Sequence, residues 1–341
     1  MLTMTAAMPA ATRFDGLLTD LASALDRFEE LERSAGTAAA GFHAVAAAVH
    51  TLCTCIAAAE AVGVDRNTLR MLLAPAWEMH GRSPFIHRLQ TWPRGYPGDF
   101  ETIEYLLAQD IRARPDSVEY WLEFLALQSP IAQQHRNKVR AQGREIAAAA
   151  LRGTADRPAR ILILAAGSSP DLALVQHELG PAKCEIVLND SDEQALAFSL
   201  ARLAGIRDRL HPLAGNAVKS IPRLRAQGPF DLVLAGGLFD YLPERHAIFL
   251  IRTICNELLA ADGRLFLTNL ASPNPYRVWI EYLADWRLIE RSAEELRGLV
   301  SAACDPEVSC GLSREGSGMT WLMMIGKGGL MHRLTRISVS H

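Results

Sequence analysis

The apolar positions of the chain change their spacing about halfway along its length. Up to residue 151 they recur every three or four residues, which is the period of amphipathic helices. Residues 81–99 interrupt this region with a loop that holds several prolines and glycines. The pattern predicts helices over residues 14–34, 38–62, 67–79 (kinked at Pro75), 100–109, 117–126 and 131–151.

After residue 153 short apolar runs alternate with amphipathic segments. The runs predict strands at residues 160–166, 184–189, 210–214, 231–235 and 264–270, and the segments between them predict helices at 172–179, 193–203, 218–226 and 244–259. A helix at 293–303 and strands at 307–312 and 319–325 follow. Strands that alternate with helices form parallel βαβ units, so we predict a Rossmann-like α/β sheet with a C-terminal antiparallel hairpin.

The chain therefore divides into a helical N-terminal domain, residues 1–153, and an α/β domain, residues 154–330, with a tail at 331–341. A net charge of −3 and a pI near 6.4 do not indicate a nucleic-acid partner. The basic stretch 136–144 is expected to be a solvated helix face, and the alanine-rich segment 37–64 a buried helix and not a membrane span. We expect no signal peptide and a cytoplasmic location. The scattered cysteines predict no metal site.

In a doubly wound sheet a ligand binds outside the carboxyl ends of the strands. Ala165, Gly167 and Ser169 follow the first strand, and their small side chains allow a ligand to approach the backbone. A tight strand-to-helix turn would explain them equally well.

The next strands end in polar or small residues. Asp190, with Ser191 beside it, is the candidate acceptor for the ribose hydroxyls of a nucleotide cofactor, and Asp192 is the reserve candidate or a helix cap. Asn216 and Ala217 are candidates for the adenine site. Gly237 is a candidate floor of the cofactor pocket. Each residue has an alternative explanation as a turn or cap, but all lie at one edge of the predicted sheet.

Two further segments carry candidate residues. The loop at residues 92–100 presents Arg94, Tyr96 and Asp99, and an arginine fork is a natural ligand for a carboxylate. Arg136 lies on the helix before the first strand, where it could reach an anionic group of the cofactor. A domain linker and an exposed polar helix face are the alternative interpretations.

Several motifs resemble one family. The stretches 94–99 (RGYPGD), 229–233 (PFDLV), 235–242 (AGGLFDYL) and 269–275 (NLASPNP), with Asp285 and Trp286, are similar to class I S-adenosylmethionine-dependent methyltransferases. The similar branch includes proteins that make 3-hydroxypalmitic acid methyl ester. The resemblance covers residues 94–325, although Ala165 and Ser169 replace two glycines that are usual in the family.

The resemblance implies a methyltransferase variant of the Rossmann-like fold, an S-adenosylmethionine cofactor and S-adenosylhomocysteine as product. It implies a small-molecule acceptor, most simply the carboxylate of an organic acid. The cofactor site would comprise Ala165, Gly167, Ser169, Asp190, Ser191, Asn216, Ala217, Gly237, Tyr96 and Arg136. The acceptor site would comprise Arg94, Tyr96, Asn269 and Tyr276. Tyr241, Asp240 and Asp99 are the candidate bases.

Three alternatives stay open at this stage. A nicotinamide-dependent oxidoreductase would need a fuller glycine motif and a parallel sixth strand. A methyltransferase of natural-product biosynthesis could act on nitrogen or oxygen. A regulator could use the same scaffold without catalysis, because fold does not fix function. The oligomeric state, including a homodimer, also stays open.

Overall fold

The computed structural model describes residues 10–34 and 38–327. These residues form two compact units. Within the described residues, one unit runs up to Ser129 and includes Pro275–Arg287, and the other comprises Pro130–Asn274 with the residues from Leu288 to 327. The predicted tail at 331–341 lies outside the described residues.

The first unit is helical. Its elements are α1 (Ala10–Ser34), α2 (Ala38–Ala61), α3 (Arg66–Leu72), α4 (Ala74–His80), α5 (Pro84–Thr91), α6 (Phe100–Ala108), α7 (Val118–Gln128) and α13 (Arg277–Leu283). The predicted kink at Pro75 is a break between α3 and α4, because proline cannot donate a helical hydrogen bond. Helix α5 is not in the predicted set. Ser83 caps its N-terminus and Pro84 occupies the first turn, where proline is tolerated.

The longest apolar helix of this unit is α2. Val45, Val49, Leu52 and Ile56 recur at helical spacing and are buried, and α2 packs against α1 and α7. Gly41 permits a close approach to α7, since a Cβ atom there would lie 2.4 Å from Trp121 Nε1. Among the described helices, residues Gly41–Ala61, with a mean hydropathy of 1.6, are long and apolar enough by composition to cross a membrane.

Helix α13 comes from the C-terminal half of the sequence but packs in the helical unit. Arg277 pairs with Glu60 of α2, and Tyr282 donates a hydrogen bond to the same carboxylate at 2.7 Å. Arg66 pairs with Glu281 at 3.2 Å. These ion pairs are partly buried and share partners, so they hold α13 more firmly than an isolated surface pair would.

His80 completes the attachment of α13. The His80 ring is fully buried, its Nδ1 lies 2.7 Å from the carbonyl oxygen of Ala76, and Trp279 Nε1 donates to its Nε2 at 3.1 Å. Because Nε2 accepts a hydrogen bond, the ring is neutral and carries its proton on Nδ1. Burial lowers the pKa of His80 to about 4.

The second unit is the α/β unit. Its strands are β1 (Ala159–Leu164), β2 (Cys184–Asp190), β3 (Leu210–Ala214), β4 (Phe230–Ala235), β5 (Leu259–Leu270), β6 (Val308–Arg314) and β7 (Thr320–Lys327). Its helices are α8 (Pro130–Ala150), α9 (Pro170–Leu179), α10 (Glu193–Arg202), α11 (Ile221–Gln227), α12 (Glu244–Thr253) and α14 (Ala293–Ala303). Short 3₁₀ turns span Ala204–Arg209 and Leu238–Tyr241, and a π turn spans Ile254–Leu258.

The seven strands form one sheet in the order β3-β2-β1-β4-β5-β7-β6. The first five are parallel, and β7 is antiparallel to both β5 and β6. Helices α8, α9 and α10 cover one face, and α11, α12 and α14 cover the other. This is the Rossmann-like fold of the methyltransferase type, as predicted. The strand beside β5 runs antiparallel, unlike the sixth strand of a dinucleotide-binding oxidoreductase.

Besides α5, two sequence expectations differ from the structure. Helix α8 belongs to the α/β unit, so the boundary lies near residue 130 and not at 153, and residues Pro275–Arg287 join the helical unit. The stretch 136–144 is also not a solvated face. Arg136, Lys138 and Gln142 are buried, whereas Arg140 and Arg144 are exposed. Packing on several sides buries this helix in a way that its polar composition does not indicate.

The buried neutral His80 predicts a pH-dependent stability. The pKa of His80 in the folded protein lies below its unfolded value of about 6.5. Its contribution to the free energy of unfolding is therefore complete above pH 6.5 and is lost as pH falls towards 4. The loss amounts to about 3 kcal/mol at most. Urea unfolding at pH 7, 5.5 and 4.5 should show a shallower decline for His80→Gln than for the wild type. The exposed His246→Gln is the control, and equal pH dependence in all three proteins would contradict the assignment.

Candidate functional site

The turn between β1 and α9 has an unusual backbone. Ala165, Gly167 and Ser169 have φ angles of 51°, 55° and 49°, which place three alternate residues in the left-handed region. Alanine and serine adopt this region at a cost of roughly 1–2 kcal/mol, whereas glycine adopts it freely. The backbone therefore has the form that the usual three glycines would favour, although the sequence keeps only one. Such strain is characteristic of functional sites.

Asp190 pins this turn from the end of β2. One carboxylate oxygen accepts a hydrogen bond from Gly167 N at 2.8 Å, and the other accepts from Asp192 N at 2.8 Å. Burial raises the pKa of Asp190, and the backbone donors oppose that rise. Asp192 caps α10 by accepting from Gln194 N and Ala195 N. Asp192 thus serves as the helix cap, and Ser191 beside it is exposed.

A hydroxyl group in this turn lacks a protein partner. Ser169 Oγ is fully buried and has no hydrogen-bond partner within the described part of the chain. Ser169 stands at the N-cap of α9 without forming a side-chain cap. Asp171 follows in the first turn of α9, where burial raises its pKa to about 6. The start of α9 therefore holds polar groups that the fold does not fully satisfy.

The end of β3 is a capped turn. Asn216 Oδ1 accepts hydrogen bonds from Val218 N at 3.0 Å and Lys219 N at 3.3 Å, and the residue is exposed. Asn216 therefore stabilises the turn with its side-chain oxygen, while its amide nitrogen can still donate a hydrogen bond to a ligand. Ala217 beside it is half-buried and packs against the core.

The two glycines after β4 allow side chains of α8 to approach the backbone closely. A Cβ atom on Gly236 would lie 2.2 Å from Gln142 Nε2, and one on Gly237 would lie 3.6 Å from Lys138 Nζ. Gln142 also donates to the carbonyl oxygen of Gly236 at 3.1 Å. Gly236 is therefore explained by packing of α8. Gly237 leaves room at the edge of the sheet, where a cofactor floor was predicted.

Asp240 and Asn269 belong to one buried polar network. Asp240 Oδ1 accepts from Leu270 N at 2.6 Å, and burial raises the pKa of this carboxyl group. Asn269 donates to the carbonyl oxygens of Leu270 and Ile289 and accepts from Arg291. Arg291 also donates to the carbonyl oxygens of Phe239 and Leu242. These contacts fix the end of β5, so Asp240 and Asn269 have structural roles, and their predicted parts as base and acceptor ligand stay predictions.

The neighbouring Tyr241 is different, because it is 38% exposed at the same edge of the sheet. Of the three candidate bases, it is the one whose side chain is accessible. Its place in the 3₁₀ turn Leu238–Tyr241, directly after β4, keeps it at the carboxyl end of the parallel strands.

The remaining candidates of the loop 92–100 lie in the helical unit. Asp99 caps α6 by accepting from Thr102 N, and Arg88 donates to it at 2.6 Å, so both interactions give it a structural role. Arg94 lies 3.6 Å from Glu101 and stacks over the Phe100 ring at 4.7 Å. Tyr96 is exposed. Tyr276, at the N-cap of α13, is half-buried, and burial raises its pKa.

Helix α8 carries one predicted site residue, Arg136, and one residue that the sequence interpretation did not single out, Lys138. Arg136, a predicted cofactor ligand, is buried and donates from Nε to Gln133 Oε1 at 2.9 Å. Lys138, two residues later, is only 7% exposed, and its Nζ lies 3.9 Å from Asp240 Oδ2. The sequence signal was weak, since a lysine among arginines and glutamines resembles an exposed helix face.

The structure therefore brings Ala165, Gly167, Ser169 and Asp190 together and places Asn216 and Gly237 at the same edge of the sheet. No group of three or more His, Cys, Asp or Glu residues suited to a metal ion occurs in residues 10–34 and 38–327. The arrangement can hold a ligand with hydroxyl groups at Asp190 and a polar head near α8.

Comparisons with known proteins support the fold. No protein-family model and no curated protein sequence matches this chain. A possible exported protein from Bordetella parapertussis is similar in structure, with a TM-score of 0.58 and 15% identity over 96% of this chain and all of its own. Mitomycin 7-O-methyltransferase (TM-score 0.44, 15% identity, 80% and 87% covered) and an O-methyltransferase family 2 protein from Planctomyces limnophilus in complex with apigenin (0.40, 15%, 78% and 97%) are more distant. At these identities the likeness concerns the fold alone.

The left-handed turn predicts opposite effects for two adjacent substitutions. Ala165→Gly removes the strain of a left-handed alanine, so the free energy of unfolding should be unchanged or should rise by up to about 1 kcal/mol. Ala166 is not left-handed, and Ala166→Gly should lower stability by about 1 kcal/mol, because glycine adds freedom to the unfolded chain. Chemical denaturation of both variants measures the difference. Equal losses in the two variants would contradict the assigned backbone geometry.

Proposed function

We propose that this protein is an S-adenosylmethionine-dependent methyltransferase that acts on a small-molecule acceptor. The observation that carries the proposal is the strained turn after β1, pinned by Asp190 at the carboxyl edge of a sheet with an antiparallel seventh strand. A nucleotide cofactor binds at this edge of a doubly wound sheet. Nicotinamide chemistry fits less well, because the strand next to β5 is antiparallel.

The residues present fit an adenosyl cofactor. Each oxygen of Asp190 accepts one backbone N–H, and a carboxylate has about four lone-pair sites, so two sites are left for ribose hydroxyls. The buried Ser169 Oγ offers a hydroxyl group without a protein partner in the described chain. Asn216 can donate its amide N–H to the adenine ring. The left-handed turn brings backbone and not bulky side chains to the edge.

When bound, S-adenosylmethionine would supply a methyl group already activated on a sulfonium. The protein then has to position this group and exclude water. Asp190 would orient the ribose, and the fixed turn at Ala165, Gly167 and Ser169 would set the depth of the cofactor. Because Asp190 is held by Gly167 N and Asp192 N, its orientation is established before any ligand arrives.

The acceptor that we favour is a carboxylate, as in the branch that forms methyl esters of fatty acids. A carboxylate is ionised at pH 7, so its methylation needs no base. This suits an edge where Asp240 already accepts a hydrogen bond from Leu270 N. The predicted base Asp99 is likewise engaged as the cap of α6.

Methylation of a phenol, alcohol or amine of a natural product is the second candidate. The observation in its favour is Tyr241, whose side chain is exposed at the carboxyl edge and could take part in proton transfer. Labelled cofactor offered with panels of acids, phenols and amines, read by mass spectrometry, distinguishes the two. Ester products support the first candidate, and ethers or methylamines support the second.

Binding measurements test the cofactor assignment directly. Calorimetry should show S-adenosylhomocysteine binding at micromolar concentration and NAD binding far more weakly. Asp190→Asn should weaken S-adenosylhomocysteine binding about 10- to 150-fold, the range for a hydrogen bond to a charged group. The same change should also lower the melting temperature, because one backbone donor loses its acceptor.

Two matched variants serve as controls for Asp190. Asp208→Asn alters an exposed carboxylate before β3 and should leave binding unchanged. Asp192→Asn retains a good helix cap, so a large loss of affinity there would transfer the ribose role to Asp192. Tight NAD binding without binding of S-adenosylhomocysteine would refute the proposed cofactor.

A further inference from the structure

Lys138 is a buried cation whose ion pair with Asp240 is long. Its Nζ lies 3.9 Å from Asp240 Oδ2, which is beyond hydrogen-bonding distance. No hydrogen bond to this ammonium group is found within the described parts of the chain, although it could donate three. Burial lowers the pKa of Lys138, and the nearby carboxylates of Asp240 and Glu315 oppose this effect.

The nearby carboxylates are engaged elsewhere. Asp240 accepts a hydrogen bond from Leu270 N. Burial raises the pKa of Asp240, while Lys138 and, to a smaller extent, Arg291 oppose that rise, so Lys138 shares this carboxylate with Arg291. Glu315 accepts hydrogen bonds from Asn137, Ser317, Met319 and Thr320 and so fixes the turn between β6 and β7. Neither carboxylate therefore approaches the ammonium group of Lys138 closely.

The other groups near Lys138 add no negative charge. His135 lies on the same helix, and burial, with smaller contributions from Lys138 and Arg136, lowers its pKa, so its ring is neutral. On the far side, Gly237 has no side chain, and the position of a Cβ atom there would be 3.6 Å from Lys138 Nζ. The ammonium group thus adjoins the half-buried Gly237 at the carboxyl edge of the sheet, where ligands of this fold bind.

We propose that Lys138 binds a carboxylate group of a ligand at this edge, beside Gly237. The inference rests on the proposed function. Two ligands can supply the carboxylate: the amino-acid part of the cofactor and the methyl acceptor. A charge-assisted hydrogen bond from a buried ammonium group orients such a ligand, and the ligand's carboxylate gives Lys138 a closer partner than Asp240 at 3.9 Å. Lys138 acts here as a binding residue and takes up no proton.

The test uses paired ligands, one with and one without a carboxylate. S-adenosylhomocysteine carries it in its amino-acid part, whereas 5′-methylthioadenosine keeps the adenosyl thioether but lacks that whole part, its amino group included. Octanoate and octanamide form a second pair for the acceptor. Calorimetry compares the full-length wild type with Lys138→Met and Lys138→Arg. The affinity of Lys138→Met for one of the two carboxylate ligands should fall about 10-fold or more. The neutral partner of that pair should be unaffected, and Lys138→Arg should restore part of the affinity.

The pattern of losses identifies the source of the carboxylate. A loss confined to S-adenosylhomocysteine assigns Lys138 to the cofactor, and a loss confined to octanoate assigns it to the acceptor. Lys183→Met is the matched control, since Lys183 is exposed before β2, at the opposite edge of the sheet. If Lys138→Met is unstable because Asp240 loses its partner, the double variant Lys138→Met with Asp240→Asn removes both charges and is titrated in its place.

Two failures are distinguishable. If the wild type binds both adenosyl ligands and Lys138→Met retains full affinity for S-adenosylhomocysteine, Lys138 does not bind the carboxylate of the cofactor. If Lys138→Met also leaves octanoate binding unchanged, or the wild type does not prefer octanoate to octanamide, the carboxylate site is overturned while the proposed function stands. A wild type that binds neither S-adenosylhomocysteine nor 5′-methylthioadenosine overturns both.

Discussion

The hydrogen bond between Gly167 N and the Asp190 carboxylate is the constraint on which the rest of the site depends. It joins the turn after β1 to the end of β2, and these two strands are parallel neighbours in the sheet. Both the strained turn and the buried carboxylate are unfavourable alone. The hydrogen bond stabilises both, because the N–H group of Gly167 gains a carboxylate acceptor and the buried carboxylate of Asp190 gains a donor.

Near this bond, helix α8 has one part that packs on the sheet and another that carries polar side chains. The alanine-rich end of α8, with Ile146, Ala149 and Ala150, packs on the sheet and contributes to the core. The middle of α8 brings Lys138 and Gln142 to the glycines after β4. One helix therefore packs on the sheet with its C-terminal part and supplies polar groups to the candidate site from its middle. Small residues at Gly236 and Gly237 make this approach sterically feasible.

The buried polar groups of the site differ in how completely they are satisfied. Asn269, Arg291 and Glu315 have several hydrogen bonds each and hold β5 and the terminal hairpin in place. Lys138 and Ser169 have fewer partners within the described residues, and both lie at the carboxyl edge. Since burying a polar group without a partner is unfavourable, these two are the side chains for which a ligand offers the larger gain.

The sequence by itself determined the strands, the parallel core, the terminal hairpin and the edge of the sheet where Gly167, Asp190 and Asn216 lie, because these follow from local periodicity and chain order. Tertiary structure alone decided three features. Arg136 and Lys138 became buried, α13 joined the helical unit, and Ala165 with Ser169 adopted left-handed conformations. Each depends on contacts between residues far apart in sequence, such as Gln142 with Gly236, 94 positions later, and no local pattern encodes such a contact.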